Sequence, residues 1–301
     1  MTMRRGVVKR VPVPTRGVPF DVDLGPGAQG GVVAVYSRCA HEPFFAPEAS
    51  YMPPAYRDGH GCDIYRFDFT SNRERKLRAV NTRTASEFLP TVWRGDVAFA
   101  RVYERRRGLA GGRPHILLQR QGRRARKLRG GSRGIFVELL RRHGRRNFDG
   151  DQGPMELDLT STRFAFSWGF SPQSGQSPRR CRKLTSEVDA SDEPLATELW
   201  LTDRRGQHRT LVDRGCDYDP TGFVGNPTFT GGRLYYRRYP GETFGRAEQQ
   251  ICRRHLDTRQ RECAPLPSLV TSLTQDGETT YYSKEEALPR KAPPLRLPDS
   301  R

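Results

Sequence analysis

The residues of this chain best suited to chemistry are two short acidic pairs, six cysteines and one serine set among glycines. Asp21-Val-Asp23-Leu and Glu156-Leu-Asp158-Leu each place two carboxylates two residues apart, so in an extended strand both point to one face. Such pairs can hold a hard cation such as Ca²⁺ through their oxygens. They can also supply the acid and base of a glycoside hydrolase, or accept hydrogen bonds from backbone and arginine donors. Asp21, Asp23, Glu156 and Asp158 are therefore the candidate ligands for a Ca²⁺ in a channel, and no other cofactor or metal is expected. No catalytic residue can be assigned from spacing alone.

The cysteines read as pairs. Cys252 and Cys263 flank a hairpin centred between Asp257 and Thr258, which sets them opposite each other at a separation a disulfide accepts. Cys39 ends one strand and Cys62 opens the next, so a bond would tie off the long loop between them. Cys181 and Cys216 remain, the first in an insertion and the second just after a strand. Zinc is the alternative for the Cys39 and Cys62 region, because Cys39-x-His41 and His60-x-Cys62 supply two thiols and two imidazoles. Each Cys there is one residue from its His and the halves lie twenty residues apart, whereas metal-site cysteines normally stand two to four residues apart. Disulfides are the better fit, and oxidised pairs imply a compartment outside the cytosol.

Two strings match motifs without their context. Gly25-Pro-Gly27-Ala-Gln-Gly30 fits a dinucleotide fingerprint, but that chemistry needs a helix N-terminus behind the glycines, and VVAVYS is strand-like. Gly130-Gly-Ser132-Arg-Gly134 fits a nucleophile elbow, which needs the parallel sheet of a hydrolase fold.

The elements that must position these groups repeat. Residues 87–130 give EFLPTVW, GDVAFARVYE, PHILLQRQG and RRARKLRGG, four strands in a row. In the second, Val97, Phe99 and Arg101 point one way and Ala98, Ala100 and Val102 the other. The pattern returns over 19–80, 153–215 and 224–267. Second strands align as Val33-Ala34-Val35-Tyr36, Val97-Ala98-Phe99, Phe164-Ala165-Phe166 and Leu234-Tyr235-Tyr236. Self-similarity at this period, with four strands per unit, marks an all-β chain folded as a β-propeller of four-stranded antiparallel blades. The chain ends on two strands, LVTSLTQDG and TTYYSKE, and begins on one, GVVKRVPVP. A fifth blade shared between the N- and C-termini, pairing Val7–Val11 with Thr280–Ser283, would close the ring and remove exposed edges. One domain over 1–288 and a Pro-rich, disordered tail over 289–301 follow.

The net charge is +18, and 46 of the 52 cations are arginine. The densest runs, Arg105 to Arg107, Arg123 to Arg129 and Arg141 to Arg146, fall on what read as separate blades or insertions and carry no interleaved aromatics. That predicts diffuse, salt-sensitive polyanion affinity and no specific nucleic acid. No apolar run is long enough to span a membrane.

Pro90-x-Val92-Trp93, then Asp96-x-Ala98-Phe99, a third strand and Arg-x-Leu resemble the WD40-like repeat of TolB-type propellers. The chain, over about residues 7–286, also looks like a group of exported propeller proteins of GC-rich bacteria. That resemblance implies a propeller of the cell envelope or exterior, although MTMRRGVVKR lacks the apolar core of an export signal. The combined expectation is a monomeric, non-enzymatic binding or scaffolding module. It would meet protein or an envelope polymer through the long loops 40–61, 131–152 and 171–194. The alternatives are a glycosidase-like hydrolase with a channel-mouth site, and a basic polyanion-binding protein.

Overall fold

The computed structural model describes residues 21–40, 61–103, 114–128, 153–170, 196–216, 223–239 and 249–266, with the backbone of four further short strands near the ends. Four antiparallel sheets of four strands each follow one another along the chain. Blade 1 comprises β3 (Asp23–Pro26), β4 (Val32–Arg38), β5 (Asp63–Asp68) and β6 (Arg73–Lys76). Blade 2 comprises β7 (Ala85–Trp93), β8 (Asp96–Tyr103), β9 (Pro114–Gln119) and β10 (Arg126–Lys127). Blade 3 comprises β11 (Gly153–Leu159), β12 (Arg163–Phe170), β13 (Ala196–Asp203) and β14 (Thr210–Cys216). Blade 4 comprises β15 (Phe223–Thr230), β16 (Arg233–Tyr239), β17 (Gln250–His255) and β18 (Arg261–Pro265). Each blade is a simple meander, and the first strands β3, β7, β11 and β15 lie side by side in succession. This is a four-blade β-propeller.

The alternation of β8 explains how the blades stack. Val97 and Phe99 pack with Val33, Val35 and Ile64 of blade 1. Ala98, Ala100 and Val102, one residue out of phase, pack with Phe164, Phe166, Trp168 and Trp200 of the blade 3 side. Both faces are therefore covered, and Val97 through Val102 are all buried rather than half-buried. A third cluster joins Leu199 and Val212 to Leu234 and Tyr236 between blades 3 and 4.

Short turns link the first strand to the second and the third to the fourth within each blade. Between β7 and β8 the connection is Arg94-Gly95, both with positive φ (48° and 83°), the conformation whose twist matches the flanking strands. The Gly25-to-Gly30 string is likewise a hairpin turn between β3 and β4.

The shared fifth blade is not shown. Val7–Lys9 (β2) pairs with Thr2–Arg4 (β1) in a two-stranded sheet, and Val270–Asp276 (β19) pairs with Thr279–Lys284 (β20) in another. A partner two residues away in sequence costs far less loop entropy than one at the opposite terminus. β19 lies beside β15, as β15 lies beside β11. The tail over 289–301 falls outside the described residues.

Candidate functional site

Strand direction gives the propeller two unlike ends. The tight connections β3–β4, β5–β6, β7–β8, β9–β10, β11–β12, β13–β14, β15–β16 and β17–β18 all lie at one end. The chain between second and third strands (β4–β5, β8–β9, β12–β13, β16–β17) and between blades leaves from the other. The segments 40–61, 131–152 and 171–194 thus all join strands at a single end of the sheets.

Asp23, Glu156 and Asp158 sit on first strands and Asp21 lies just before β3, and their oxygens are taken up by protein donors. Asp21 Oδ1 accepts from the Ser37 amide at 2.8 Å, and Oδ2 accepts from Ser37 Oγ at 2.6 Å and from the Leu89 amide at 2.8 Å. Asp23 Oδ2 accepts from the Val92 amide at 2.9 Å. Two blades on, Glu156 accepts from the amide and side chain of Asn226, and from Ser167 Oγ. Asp158 accepts from the amides of Leu159 and Phe229.

The recipients correspond. The register of β7 shifts between Phe88 and Thr91, and that of β15 between Gly225 and Thr228. Both bulges hold a Pro, Pro90 or Pro227, preceded by a residue with φ near 50°. A bulge removes the ladder partner of an amide, and the acidic strand of the preceding blade supplies the acceptor. Gly225 permits the approach: a Cβ there would meet Glu156 Oε2 at 2.5 Å.

The structure brings Asp23 and Asp158 together on either side of Thr91, whose hydroxyl donates to Asp158 at 3.4 Å. Burial pushes the Asp23 carboxyl up to about 6, the Val92 amide opposing it. Asp158 is pushed up as well, first by burial and then by the charge of Asp23. A cation here would compete with the Val92 and Phe229 amides. Among the described residues no group of three or more His, Cys, Asp or Glu is placed to hold a metal. Asp21, just before β3, and Glu156 on β11 each accept from a separate bulge, that of β7 and that of β15.

An acid whose folded pKa is raised binds protons more readily folded than unfolded, so its contribution to stability falls as pH rises between the two values. For Asp23 that window runs from 3.8 to about 6. Denaturant titrations should show stability declining across it, with a flatter profile in Asp23→Asn. An unchanged profile in that variant would contradict the raised value.

Cys39 is bonded to Cys62 and Cys252 to Cys263, the second pair directly opposed in the β17–β18 ladder. With both sulfurs of Cys39 and Cys62 in a disulfide, no thiolate is left there for zinc. Ser132, His41, His60 and Cys181 lie outside the described residues, and Cys216 ends β14. Peptide mapping without reductant should recover Cys252 and Cys263 in one linked fragment. Replacing both with Ala should cost about 3 kcal/mol, the chain-entropy value for so short a loop.

Two ion pairs of fully buried glutamates escaped the sequence reading. Glu87 on β7 is fully buried against Arg101 of β8, Nε to Oε1 2.8 Å. Burial lifts Glu87 to about 7 despite that guanidinium. Glu198 on β13 is also fully buried, paired with Arg214 at 2.6 Å and accepting from Trp200 Nε1. The signal was available, because Glu87 and Arg101 are directly opposed in the β7–β8 register and opposite charges favour such positions.

The strand order defines the class of protein: a β-propeller whose long connections share one end. No protein-family model matches the sequence, and no curated protein matches it. Among solved structures it is similar to TolB from Acinetobacter baumannii, with 12% identity, a TM-score of 0.48, and coverage of 89% of this chain and 49% of that one. It is similar to the tricorn protease at 12% identity and TM-score 0.46, covering 93% of this chain and 22% of that one. The β-propeller domain of the Trilobed protease from Pyrococcus furiosus gives 9% identity and TM-score 0.39, with 88% and 80% covered. The chain thus spans about half the length of TolB and about a fifth of the tricorn chain.

Proposed function

We propose that this protein is a non-enzymatic binding or scaffolding propeller of the bacterial cell envelope or exterior, and that it meets its partner through the end bearing 40–61, 131–152 and 171–194. The observation carrying this reading is the division of the two ends, tight turns at one and every long connection at the other. Two disulfides fit an oxidising compartment. The acidic groups on the first strands are engaged in holding adjacent blades, which accords with a scaffold. The test is sedimentation of purified protein with isolated envelope fractions, before and after each long segment is replaced by a short Gly/Ser linker. Loss of binding on shortening, with the melting curve preserved, supports the reading. Equal binding by all shortened variants overturns it.

A glycosidase-like hydrolase is the second reading, and one observation favours it. Asp23 and Asp158 come from different blades, and a carboxyl held near 6 suits a general acid. Turnover of a glycoside panel that vanishes in both Asp23→Asn and Asp158→Asn would establish it. Turnover unaffected by either change, or none at all, would leave the pair with its structural duty.

A further inference from the structure

We infer that the tight-turn end of the propeller is a docking surface for a bilayer rich in anionic lipid. It is the end opposite the long connections, so the inference goes beyond the reading above and uses other residues. Every residue of its eight turns is among those described.

Those turns, from 27–31 in blade 1 to 256–260 in blade 4, hold eight arginines and a single acid, Asp257. The connections at the opposite end, 39–62 through 240–249, hold eighteen arginines and lysines against fifteen aspartates and glutamates. A codon bias toward arginine would raise the cations at both ends, but it would not clear the acids from one. The three aspartates that border the turns are committed to local donors. Asp68 accepts from the amides of Thr70 and Ser71, and Asp203 from those of Arg205 and Gln207. Asp96 accepts from the Gln121 amide and the Arg204 guanidinium.

Six of the eight arginines are exposed: Arg94, Arg120, Arg123 and Arg124 on blade 2, Arg205 on blade 3 and Arg259 on blade 4. The ion pairs of the described residues involve none of these six. Blade 1 supplies an apolar element instead. Its two turns carry no charge, and Val32, the first residue after turn 27–31, is 55% exposed. Leu24, 54% exposed, lies diagonal to it, because Leu24 opposes Ala34 and Pro26 opposes Val32 in the β3–β4 register. Among the described residues only four large hydrophobic side chains are exposed, and this pair stands beside the cationic turns.

Shape and chemistry favour a bilayer over a soluble polyanion. The exposed cations sit in turns of three blades, and the turns are only two to six residues long, so none of them walls a groove. A single-stranded nucleic acid or similar polymer follows a groove lined by charge and stacking rings, whereas a plane of headgroups meets separate turns at once. Each arginine near an anionic leaflet adds to the attraction. Aliphatic side chains beside cations can enter the boundary between headgroups and acyl chains. A polysaccharide or nucleic acid offers no such medium to Leu24 and Val32.

The experiment is co-sedimentation of the full chain with vesicles of phosphatidylcholine and phosphatidylglycerol, beside vesicles of phosphatidylcholine alone. Binding is expected to the anionic vesicles only, and should fade with added salt. At about 50 mM salt the variant Arg94→Gln, Arg123→Gln, Arg205→Gln, Arg259→Gln should lose at least about tenfold in partitioning. The variant Arg75→Gln, Arg78→Gln, Arg83→Gln, Lys127→Gln removes the same charge from β6, β10 and the 77–84 connection, and should lose less than about twofold. Equal losses in both would reduce the effect to total charge and overturn the proposal. Leu24→Ser with Val32→Ser should lose at least about threefold on anionic vesicles and leave heparin binding unchanged. Vesicle partitioning unmoved by the serine pair would overturn insertion, and with it the choice of a bilayer. Losses by the first arginine variant as large on heparin or oligo(dT) as on vesicles would assign this end to a soluble polyanion instead. Melting curves check that each variant is folded. Lipid vesicles hold no envelope protein or polymer, so the result is read apart from the envelope sedimentation that tests the loop end. Chains with 40–61, 131–152 or 171–194 shortened should keep full vesicle binding. Its loss in them would place the lipid contact at the loop end and sink this proposal alone.

Discussion

Replacing Arg101 with Met is expected to destabilise the fold by about 3–5 kcal/mol at pH 8, the cost of stranding a buried charge. The side chains of Arg101 and Glu87 are 8% and 0% exposed. Arg101 also donates to the Val80 carbonyl at 2.6 Å and lies over Phe99 at 5.4 Å, so it ties the inner strand of blade 2 to the chain arriving from blade 1. Without it, among the described residues Glu87 keeps the Thr82 amide and hydroxyl as side-chain partners. The loss should be smaller at pH 5, and the sign follows from linkage. Glu87 titrates near 7 in the folded protein against 4.5 as a free side chain, and removing the cation raises the folded value further. A protonated carboxyl is then the stable form in the fold, so the variant loses least at low pH and most above the folded pKa. Glu87→Gln in the Arg101→Met background should recover much of the stability at pH 8. Urea unfolding at pH 5 and 8 checks this. A loss under about 1 kcal/mol at both would mean that water reaches the pair.

Much of this architecture was legible because it is local. The β8 alternation, the hairpin setting Cys252 against Cys263, and the matching second strands all depend on contacts within one hairpin or one repeat. What was hidden depends on partners far along the chain. Asp21 and Glu156 were visible as acidic strand residues, but the amides they accept from are 68 and 70 residues away. Nothing in DVDL or ELDL says which bulge will face it. The unpaired terminal strands suggested a mutual pairing, and the local hairpin Thr2–Lys9 took precedence.

The acid-to-bulge links carry the second large effect. Asp21→Ala should cost about 2–4 kcal/mol, since it orphans the amides of Ser37 and Leu89 at about 1–3 kcal/mol for each buried group left unmade. Leu89 is the more sensitive. It has φ 50°, a conformation that costs a non-glycine residue about 1 kcal/mol or more, and Pro90 behind it offers no N–H to the ladder. The carboxylate of Asp21 is what the strained amide points at, so its removal lets the bulge relax and loosens β7 against β3. Asp21→Asn keeps one acceptor oxygen and should recover roughly half of the loss. Glu156→Ala should act the same way on Asn226 and Pro227. The two sites share no partner, so the double variant should lose close to the sum of the singles. Denaturant unfolding gives the energies, and hydrogen exchange gives the location: in Asp21→Ala the Leu89 amide should lose protection while the Asn226 amide keeps it. A stability change under about 0.5 kcal/mol with Leu89 still protected would show that the bulge holds itself, and that the acidic strand residues are free for another task.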